Sequence, residues 1–429
     1  MKKLITVLLV LLLALTAVFA NAAAEKTAGS VYWLNFKPES DETLQKLAAL
    51  YTSKTGVPVK VVTAASGTYN ETLTAEMDKS AAPTLFVVGN QAAVGTWGDY
   101  CYDLKGTKVA GELNTDAYNL YTADGKLASI GYCYECFGII VNKELLEKAG
   151  HSISEIKNFA TLKAVAEDIH ARAKELGFDA FTSSGMDGSS SWRFTGHLIN
   201  TDLYYESRDA GFWTECPAEI KGTYLANFKN LWDLYISNSS YDPAVLATGG
   251  FDAEAEFGKK QAVFYQNGNW EYDALVNNYG LDKNTLKMIP FYCGVAGEEK
   301  AGLNCGTENC WAVNAKASKA DIEATLEFMY WMVTDPEATA LLATTFGSIP
   351  YKKAATPENV FLAQANEYAN AGCYTMTWAF NFTPNVDSWR AGMVSAMNQY
   401  DAARTAENWK LVENAFVQGW ATQYKAANK

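Results

Sequence analysis

The stretch from residue 31 to residue 88 alternates three β-type runs with two helix-type runs, and this alternation constrains the fold more than any other feature. Residues 31–34, 57–63 and 84–88 are apolar and rich in β-branched side chains, which is typical of buried strands. Between them, residues 41–55 and 68–80 carry apolar side chains at helical spacing. Strands that alternate with helices form βαβ units, so the sequence predicts a mostly parallel sheet flanked by helices.

Small and polar residues follow each of these three strands. Asn35 comes directly after the first strand, Tyr69 stands in the loop after the second, and Asn90 and Gln91 follow the third. The carboxyl ends of parallel strands meet at one edge of a sheet, where the ligands of such sheets bind. We therefore expect these four side chains to lie close together at a binding edge.

The rest of the chain shows further strand and helix signals, without a low-complexity linker or a fixed-period repeat. Residues 137–141, 178–182, 262–266 and 287–291 are predicted strands, and the pattern becomes mainly helical beyond residue 310. Because no linker separates them, the two α/β halves are expected to be closely connected.

The first 24 residues have the pattern of a signal peptide. Lys2 and Lys3 precede a continuous apolar run over residues 4–19, and small residues follow that run. We expect this segment to be cleaved during export. The first cysteine is Cys101, so no cysteine directly after the apolar run is available for lipid attachment. A periplasmic location is therefore expected.

Charge and residue counts argue against several function classes. The formal net charge of −13 disfavours nucleic acid as a partner. Only three histidines occur, far apart in the sequence, which argues against a histidine-based metal site. Nucleophile-elbow, P-loop and dinucleotide-binding glycine signatures are missing from the sequence. We expect no cofactor, no resident metal and no enzymatic activity. A secreted carbohydrate-active enzyme is the alternative, because sequence does not show which acidic residues form pairs in space.

Aromatic residues indicate the kind of ligand. They make up 13% of the chain, and several stand beside small or polar residues in predicted loops. A flat ring covers the apolar face of a sugar, while amides, carboxylates and arginine bond the sugar hydroxyls. Any single tryptophan is more often a core residue, so the argument depends on the set. Its members are Trp33, Tyr69, Trp192, Trp270 and Trp389.

Several stretches, in their order and spacing, resemble the extracellular solute-binding proteins of family 1, the maltose-binding-protein-like sugar-binding components of ABC importers. Residues 135–150, ECFGIIVNKELLEKAG, are similar to a signature of that family in which Val141 replaces the usual tyrosine. In a second block, Thr84 stands where the family usually has aspartate. The other similar stretches are SVYWLNFKPESDETLQKLAALYTSKTGVPVKVV, YNETLTAEMDKSAAPTLFVVGN, FGKKQAVFYQNGNWEYDAL and FMYWMVTDPEATALLATTFGSIPYKKAA.

The resemblance implies an α/β, two-lobed, periplasmic-binding-protein-like fold of type II, with hinge strands between the lobes. We expect an N-terminal lobe of residues 25–136 and 305–350, and a C-terminal lobe of residues 137–304 and 351–429. The lobes would close on a ligand that contacts both of them. The implied partners are a carbohydrate ligand and the permease subunits of an ABC importer, and the protein is expected to be a monomer.

The resemblance also implies ligand contacts. Glu135 falls where family members have an acid that binds sugar hydroxyls, and Trp270 falls at their stacking tryptophan. A polyamine or another small solute is the alternative ligand, because the acidic side chain of Glu135 would suit a cationic group. The full set expected in the cleft is Trp33, Asn35, Tyr69, Asn90, Gln91, Glu135, Trp192, Trp270 and Trp389.

Four of the eight cysteines fall at the implied hinge crossings. Cys133 and Cys136 stand at the first crossing, and Cys305 and Cys310 stand at the second. Paired positions on neighbouring strands lie about 4.5–5.5 Å apart, within reach of a disulfide. We expect at least one disulfide to link or brace these segments. The alternatives are buried thiols that pack as small apolar groups, or a four-thiolate metal site.

Overall fold

The computed structural model describes residues 29–188, 190–246 and 250–428. The predicted signal peptide over residues 1–24 lies outside these ranges. Within the described ranges, no helix combines the length and the apolar character that a membrane span requires.

One large sheet of ten strands organises the chain. The first strand runs parallel to the second and the third, with Trp33 opposite both Val61 and Leu85, as the alternating pattern predicts. The strands are β1 Val31–Asn35, β2 Val59–Thr63, β3 Leu85–Val87, β4 Leu120–Tyr121, β5 Leu127–Asn142, β6 Asp179–Phe181, β7 Ala262–Gly268, β8 Leu286–Ile289, β9 Ala301–Val313 and β10 Tyr374–Thr377.

The sheet is mixed rather than mostly parallel. Its main path runs β2-β1-β3-β9-β5-β7-β6, with β10 beside β9 and with β4 and β8 beside β5. β9 is antiparallel to β3, and β5 is antiparallel to β9, β7 and β8. The prediction of parallel pairing holds for β1–β3, where helices connect the strands. It fails in the centre because β5 and β9 are long strands that run in opposite directions.

Helices pack against the sheet, and local sequence explains where the first of them ends. The first helix stops at Gly56, which adopts a φ of 75° and donates its amide to the Thr52 carbonyl. The helices are α1 Asp41–Thr55, α2 Tyr69–Met77, α3 Gln91–Trp97, α4 Lys108–Gly111, α5 Lys143–Lys148, α6 Phe159–Ala171, α7 Ala173–Leu176, α8 Asn200–Asp209, α9 Leu225–Ser237, α10 Pro243–Leu246, α11 Ala253–Gly258, α12 Lys319–Met332, α13 Pro336–Thr345, α14 Val360–Asn370, α15 Val386–Ala402 and α16 Ala406–Ala427.

Two large apolar cores lie in the fold. One contains side chains from residues 31–133 and 311–351, and the other contains side chains from residues 137–301 and 376–420. β5 contributes to both, with Ile130 in the first core and Ile139 in the second. The paired strands β5 and β9 therefore join the two cored regions, as expected for hinge strands of an α/β, two-lobed fold. The lobe boundaries given above stay a prediction.

The expected disulfide is absent, because all eight cysteines are free thiols. Cys136 and Cys305 are opposite each other in the β5–β9 ladder, and both are buried in a third apolar cluster. The Cys133 sulfur accepts a hydrogen bond from the Gly347 amide at 3.1 Å. Burial raises the pKa of Cys305 and Cys310 to about 12, so these groups pack as small neutral side chains.

Candidate functional site

Two short non-α-helical turns bring three rings together in the second cored region. A π-helical turn over Arg193–Leu198 follows Trp192 and carries His197, and a 3₁₀ turn over Asn269–Glu271 carries Trp270. The ring centroids of Trp192 and Trp270 lie 6.1 Å apart, and the His197 ring lies 5.0 and 5.3 Å from them. π-helical turns occur often at functional sites. Trp192 and Trp270, both expected in the cleft, are therefore neighbours.

The indole of Trp270 is held by a chain of hydrogen bonds. Its Nε1 donates to Asn267 Oδ1 at 2.7 Å, and Asn267 Nδ2 donates to the Tyr265 hydroxyl at 2.6 Å. That hydroxyl donates to Glu271 Oε2 at 3.1 Å. The indole also lies directly on the backbone of Gly268, where a Cβ atom would be only 2.2 Å from the ring. Gly268 thus covers one face of the Trp270 ring, and the hydrogen bond to Asn267 holds its Nε1 edge.

Lys37 reaches from the first cored region to the Trp270 ring. Its Nζ lies 5.7 Å from the Trp270 ring centroid, 2.7 Å from Glu135 Oε1 and 2.8 Å from Glu39 Oε1. Glu135 Oε2 also accepts a hydrogen bond from Asn309 Nδ2 at 2.6 Å. Burial lowers the pKa of Lys37, but the carboxylates of Glu135 and Glu39 outweigh that effect and raise it above its ordinary value. The lysine is therefore charged.

Asn35 positions this lysine instead of facing a ligand. Its Nδ2 donates to the Lys37 carbonyl at 2.6 Å and to Thr63 Oγ1 at 3.1 Å, while its Oδ1 accepts from the Lys37 amide at 3.0 Å. Asn35 is fully buried. The expectation that it contacts ligand is corrected: its polar groups are used to shape the loop after β1.

Trp33 and Trp389 are core residues, which corrects their expected place in the cleft. The Trp33 ring is fully buried, at 5.8 Å from the Trp311 ring and 6.2 Å from the Phe328 ring. Trp389 is buried against Phe416, and its Nε1 donates to the Phe416 carbonyl at 3.1 Å. Both indoles are covered by elements distant in sequence, so neither can stack on a ligand.

Tyr69, Asn90 and Gln91 also make structural contacts. The Tyr69 hydroxyl accepts from the Val87 amide at 2.7 Å, and burial raises its pKa. Asn90 caps α3 by accepting from the Ala93 amide at 2.8 Å. Gln91 is exposed, and its Nε2 donates to the Tyr121 carbonyl at 2.9 Å. All three therefore follow strands, as predicted, and their polar groups are used in contacts with the protein itself.

A polar recess adjoins Trp192. Its volume is about 290 Å³. Burial, followed by the charge of Glu254, raises the pKa of Glu271 to about 8, so this carboxyl is largely protonated at neutral pH. We call this space the Arg193 recess, and its lining residues are Ser190, Trp192, Arg193, Phe251, Asp252, Ala253, Glu254, Tyr265, Asn267 and Glu271.

Lys37, Arg193 and Glu271 are absent from the set expected from sequence. The stretch NGNWEY at residues 267–272 contained a usable signal, because it places Asn267 and Glu271 beside Trp270. No comparable signal marked Lys37, whose partner Glu135 is 98 residues away.

Two further contacts join the two cored regions. Asn70 Nδ2 in α2 donates to Asp387 Oδ2 in α15 at 2.6 Å. The backbone of Gly67 also approaches the Gly188 carbonyl so closely that a Cβ atom there would lie 2.5 Å from its oxygen. Together with Lys37 over Trp270, these contacts describe a closed arrangement.

Solved structures similar to this chain are two-lobed solute-binding proteins. RafE in complex with raffinose has a TM-score of 0.71 at 17% identity, covering 92% of this chain and 99% of that one. The GacH receptor of Streptomyces glaucescens has a TM-score of 0.67 at 19% identity, covering 93% and 99%. A sugar transporter protein from Bacillus licheniformis with stachyose has a TM-score of 0.65 at 17% identity, covering 92% and 100%. These similarities confirm the predicted α/β, two-lobed fold.

No curated protein matches the chain in sequence. The sequence profile described as bacterial extracellular solute-binding protein, in contrast, matches residues 46–371. That range includes β5, β9, the Trp192–Trp270 pair and the Arg193 recess, and it is most of the chain. The recognition made from sequence is therefore confirmed, and the chain belongs to the family of bacterial extracellular solute-binding proteins.

Proposed function

We propose that this protein binds a carbohydrate between its lobes and delivers it to the permease of an ABC importer. The observation that supports this most directly is the indole pair Trp192–Trp270 beside the polar recess. Aromatic faces cover the apolar side of a sugar ring, and the polar groups of the recess suit its hydroxyls. Raffinose and stachyose in the similar structures RafE and the Bacillus licheniformis protein agree with this ligand class.

The proposed mechanism of ligand binding is closure of the two lobes on the ligand. Trp270 and the recess belong to one cored region, and Lys37 approaches from the other. A ligand on Trp270 would contact both, so its binding energy would favour the closed arrangement over the open one. The closed form is the one that the permease would recognise. No bond of the ligand has to be made or broken, and we propose a binding protein rather than an enzyme.

A polyamine is the weaker candidate. Glu135 would favour it, but that carboxylate is already paired with the buried ammonium of Lys37 at 2.7 Å. The cationic Arg193 lines the recess beside Glu254 and Glu271. A ligand with several ammonium groups would therefore meet two buried cations, whereas hydroxyls can both donate to carboxylates and accept from cations.

The remaining parts of the proposal concern location and assembly. We propose that the protein is exported through the predicted signal peptide and acts in the periplasm, and that it is a monomer. The net charge of −13 disfavours nucleic acid as a partner.

The test is a calorimetric and thermal-shift screen of the mature protein against neutral di- to tetrasaccharides, spermidine and putrescine. We expect a saccharide to bind, to raise the melting temperature and to be recovered unchanged. Trp270→Ala should weaken its binding by about 1–3 kcal/mol, the range for one large apolar contact. Trp97→Ala, a half-buried tryptophan in the other cored region, is the matched control. Binding of polyamines alone, or cleavage of the saccharide, would overturn the proposal.

A further inference from the structure

His197 is a buried histidine enclosed by aromatic rings. It is 8% exposed, and its Nδ1 atom has no hydrogen-bond partner among the described residues. Its ring stacks on Phe137 of β5, with centroids 4.1 Å apart and an angle of 10° between the planes. Removal from water disfavours the charged form of such a ring. Four further rings surround it at centroid distances of 5.0–6.0 Å, namely Trp192, Trp270, Trp378 and Phe380.

Three cations act on the same ring, and they come from three different parts of the fold. Arg193 stands in the same π-helical turn, and Arg390 of α15 donates from Nε to Thr195 Oγ1 of that turn at 3.3 Å. The third cation is Lys37, which approaches from the other cored region. Burial lowers the pKa of His197 well below its ordinary value, and these three positive charges lower it further. His197 is therefore neutral at pH 7 in the closed arrangement.

The carboxylates of this region lie near those cations and leave His197 without a counter-charge. They are Glu39 and Glu135 beside Lys37, Asp387 and Glu308 near Arg390, and Glu256 and Glu271 near Arg193. Among the described residues, no carboxylate forms an ion pair with His197, and the charges that act on its ring are all positive. The other two histidines differ, because His151 pairs with Asp168 and His170 pairs with Asp179. A proton on His197 therefore has no partner that would offset its cost.

Opening of the lobes changes both influences on this ring. Lys37 belongs to the first cored region and moves away from Trp270 when the lobes separate, and solvent then reaches His197. The pKa of His197 returns toward its ordinary value of 6.5 in the open form. In mildly acidic solution the open form therefore takes up a proton that the closed form excludes. A base whose pKa is lower in the closed form opposes closure as the pH falls through the pKa of the open form.

We infer that His197 makes closure sensitive to acid: protonation of its ring opposes the closed arrangement, so the protein releases its ligand more readily as the pH falls below neutral. This inference rests on the proposed function, because it needs a ligand on which the lobes close. Two carboxyls act with the opposite sign, since burial raises the pKa of Glu271 to about 8 and that of Glu308 to about 7. The contribution of His197 is therefore measured as the difference between the parent protein and a variant that lacks this ring.

The experiment is isothermal titration calorimetry of the mature protein with raffinose, stachyose and maltotriose at pH 7.5 and pH 5.0. The measured quantity is the ratio of the dissociation constants at the two pH values, for the saccharide that binds most tightly at pH 7.5. His197→Gln removes the titratable ring, and His197→Phe also keeps a ring that stacks on Phe137. The matched control is His170→Gln, which removes a half-exposed histidine paired with Asp179 at 2.8 Å.

We expect the ratio of pH 5.0 to pH 7.5 dissociation constants to be at least about fivefold larger in the parent and in His170→Gln than in either His197 variant. The reason is that a pKa difference of about one unit between the open and closed forms changes the affinity up to about tenfold. Nuclear magnetic resonance of the three histidine rings is the second readout. The pKa of His197 should be at least about one unit lower with saccharide bound than without it.

Circular dichroism checks the folding of both His197 variants, and the resonance titration of the parent protein decides the question if neither variant folds. Equal ratios in the parent and the folded His197 variants, or the same His197 pKa with and without saccharide, would overturn the inference while leaving carbohydrate binding intact. Failure of every saccharide to bind at either pH would overturn the proposed function and the acid-sensitive closure together.

Discussion

The ion pair between Lys37 and Glu135 gives the sharpest prediction for stability. Their side chains are each 5% exposed, and Nζ and Oε1 lie 2.7 Å apart. Lys37→Met keeps the length of the side chain and removes its charge, which leaves Glu135 with the Asn309 amide as its hydrogen-bond donor. Breaking a buried pair in this way costs about 3–5 kcal/mol, because the remaining charge is buried without compensation.

The second carboxylate on Lys37 supplies the control. Glu39 lies at a similar distance from Nζ, 2.8 Å, but its side chain is 37% exposed. Solvent screens such a contact, so Glu39→Gln should cost at most about 1 kcal/mol. The contrast between Glu39→Gln and Glu135→Gln therefore separates the effect of burial from the effect of distance.

The assay is urea unfolding at pH 7, followed by both circular dichroism and tryptophan fluorescence. In the double variant Lys37→Met/Glu135→Gln neither charge is left alone, so its loss of unfolding free energy should be smaller than the sum of the single losses by about 1–3 kcal/mol. Losses that add within about 0.5 kcal/mol would refute the reasoning, since additivity is the behaviour of sites that do not interact.

Three further changes have defined outcomes. Gly268→Ala should displace the Trp270 indole, because the new Cβ atom would lie 2.2 Å from the ring, and near-ultraviolet circular dichroism and saccharide affinity should both report the loss. Burial raises the pKa of Glu271 from its ordinary value of 4.5 to about 8 in the folded protein. It therefore binds its proton more tightly when folded, and its contribution to stability is full below about pH 4.5 and is lost as the pH rises through about 8. Glu271→Gln should remove this fall, up to about 1.4 kcal/mol per pH unit, and an unchanged pH profile of unfolding would contradict the assignment. Alkylation without reductant should label eight cysteines in urea, and in the native protein it should reach Cys216 and Cys373 first because the other thiols are buried. Mass spectrometry that finds fewer than eight free thiols would contradict this result.

The sequence by itself determined the elements and the family. Apolar periodicity is local, because successive side chains of a strand alternate between two faces and those of a helix return every 3.6 residues. The alternation over residues 31–88 thus predicted parallel pairing of β1 with β2 and β3, and the order of the similar stretches identified a two-lobed solute-binding fold. Periodicity did not show that β5 and β9 run antiparallel in the centre of the sheet, because strand direction depends on how distant segments meet.

Only the tertiary structure decided how the candidate tryptophans pack. Trp33 and Trp270 both stand beside an asparagine near a predicted strand end, so the local sequence does not distinguish them. Trp33 is covered by Phe328 of α12, whereas Trp270 lies on the backbone of Gly268 with the Lys37 ammonium 5.7 Å from its ring centroid. The pairing of Lys37 with Glu135 likewise joins residues 98 positions apart. Burial and charge pairing depend on these long-range contacts, and for that reason the site became visible only in the folded chain.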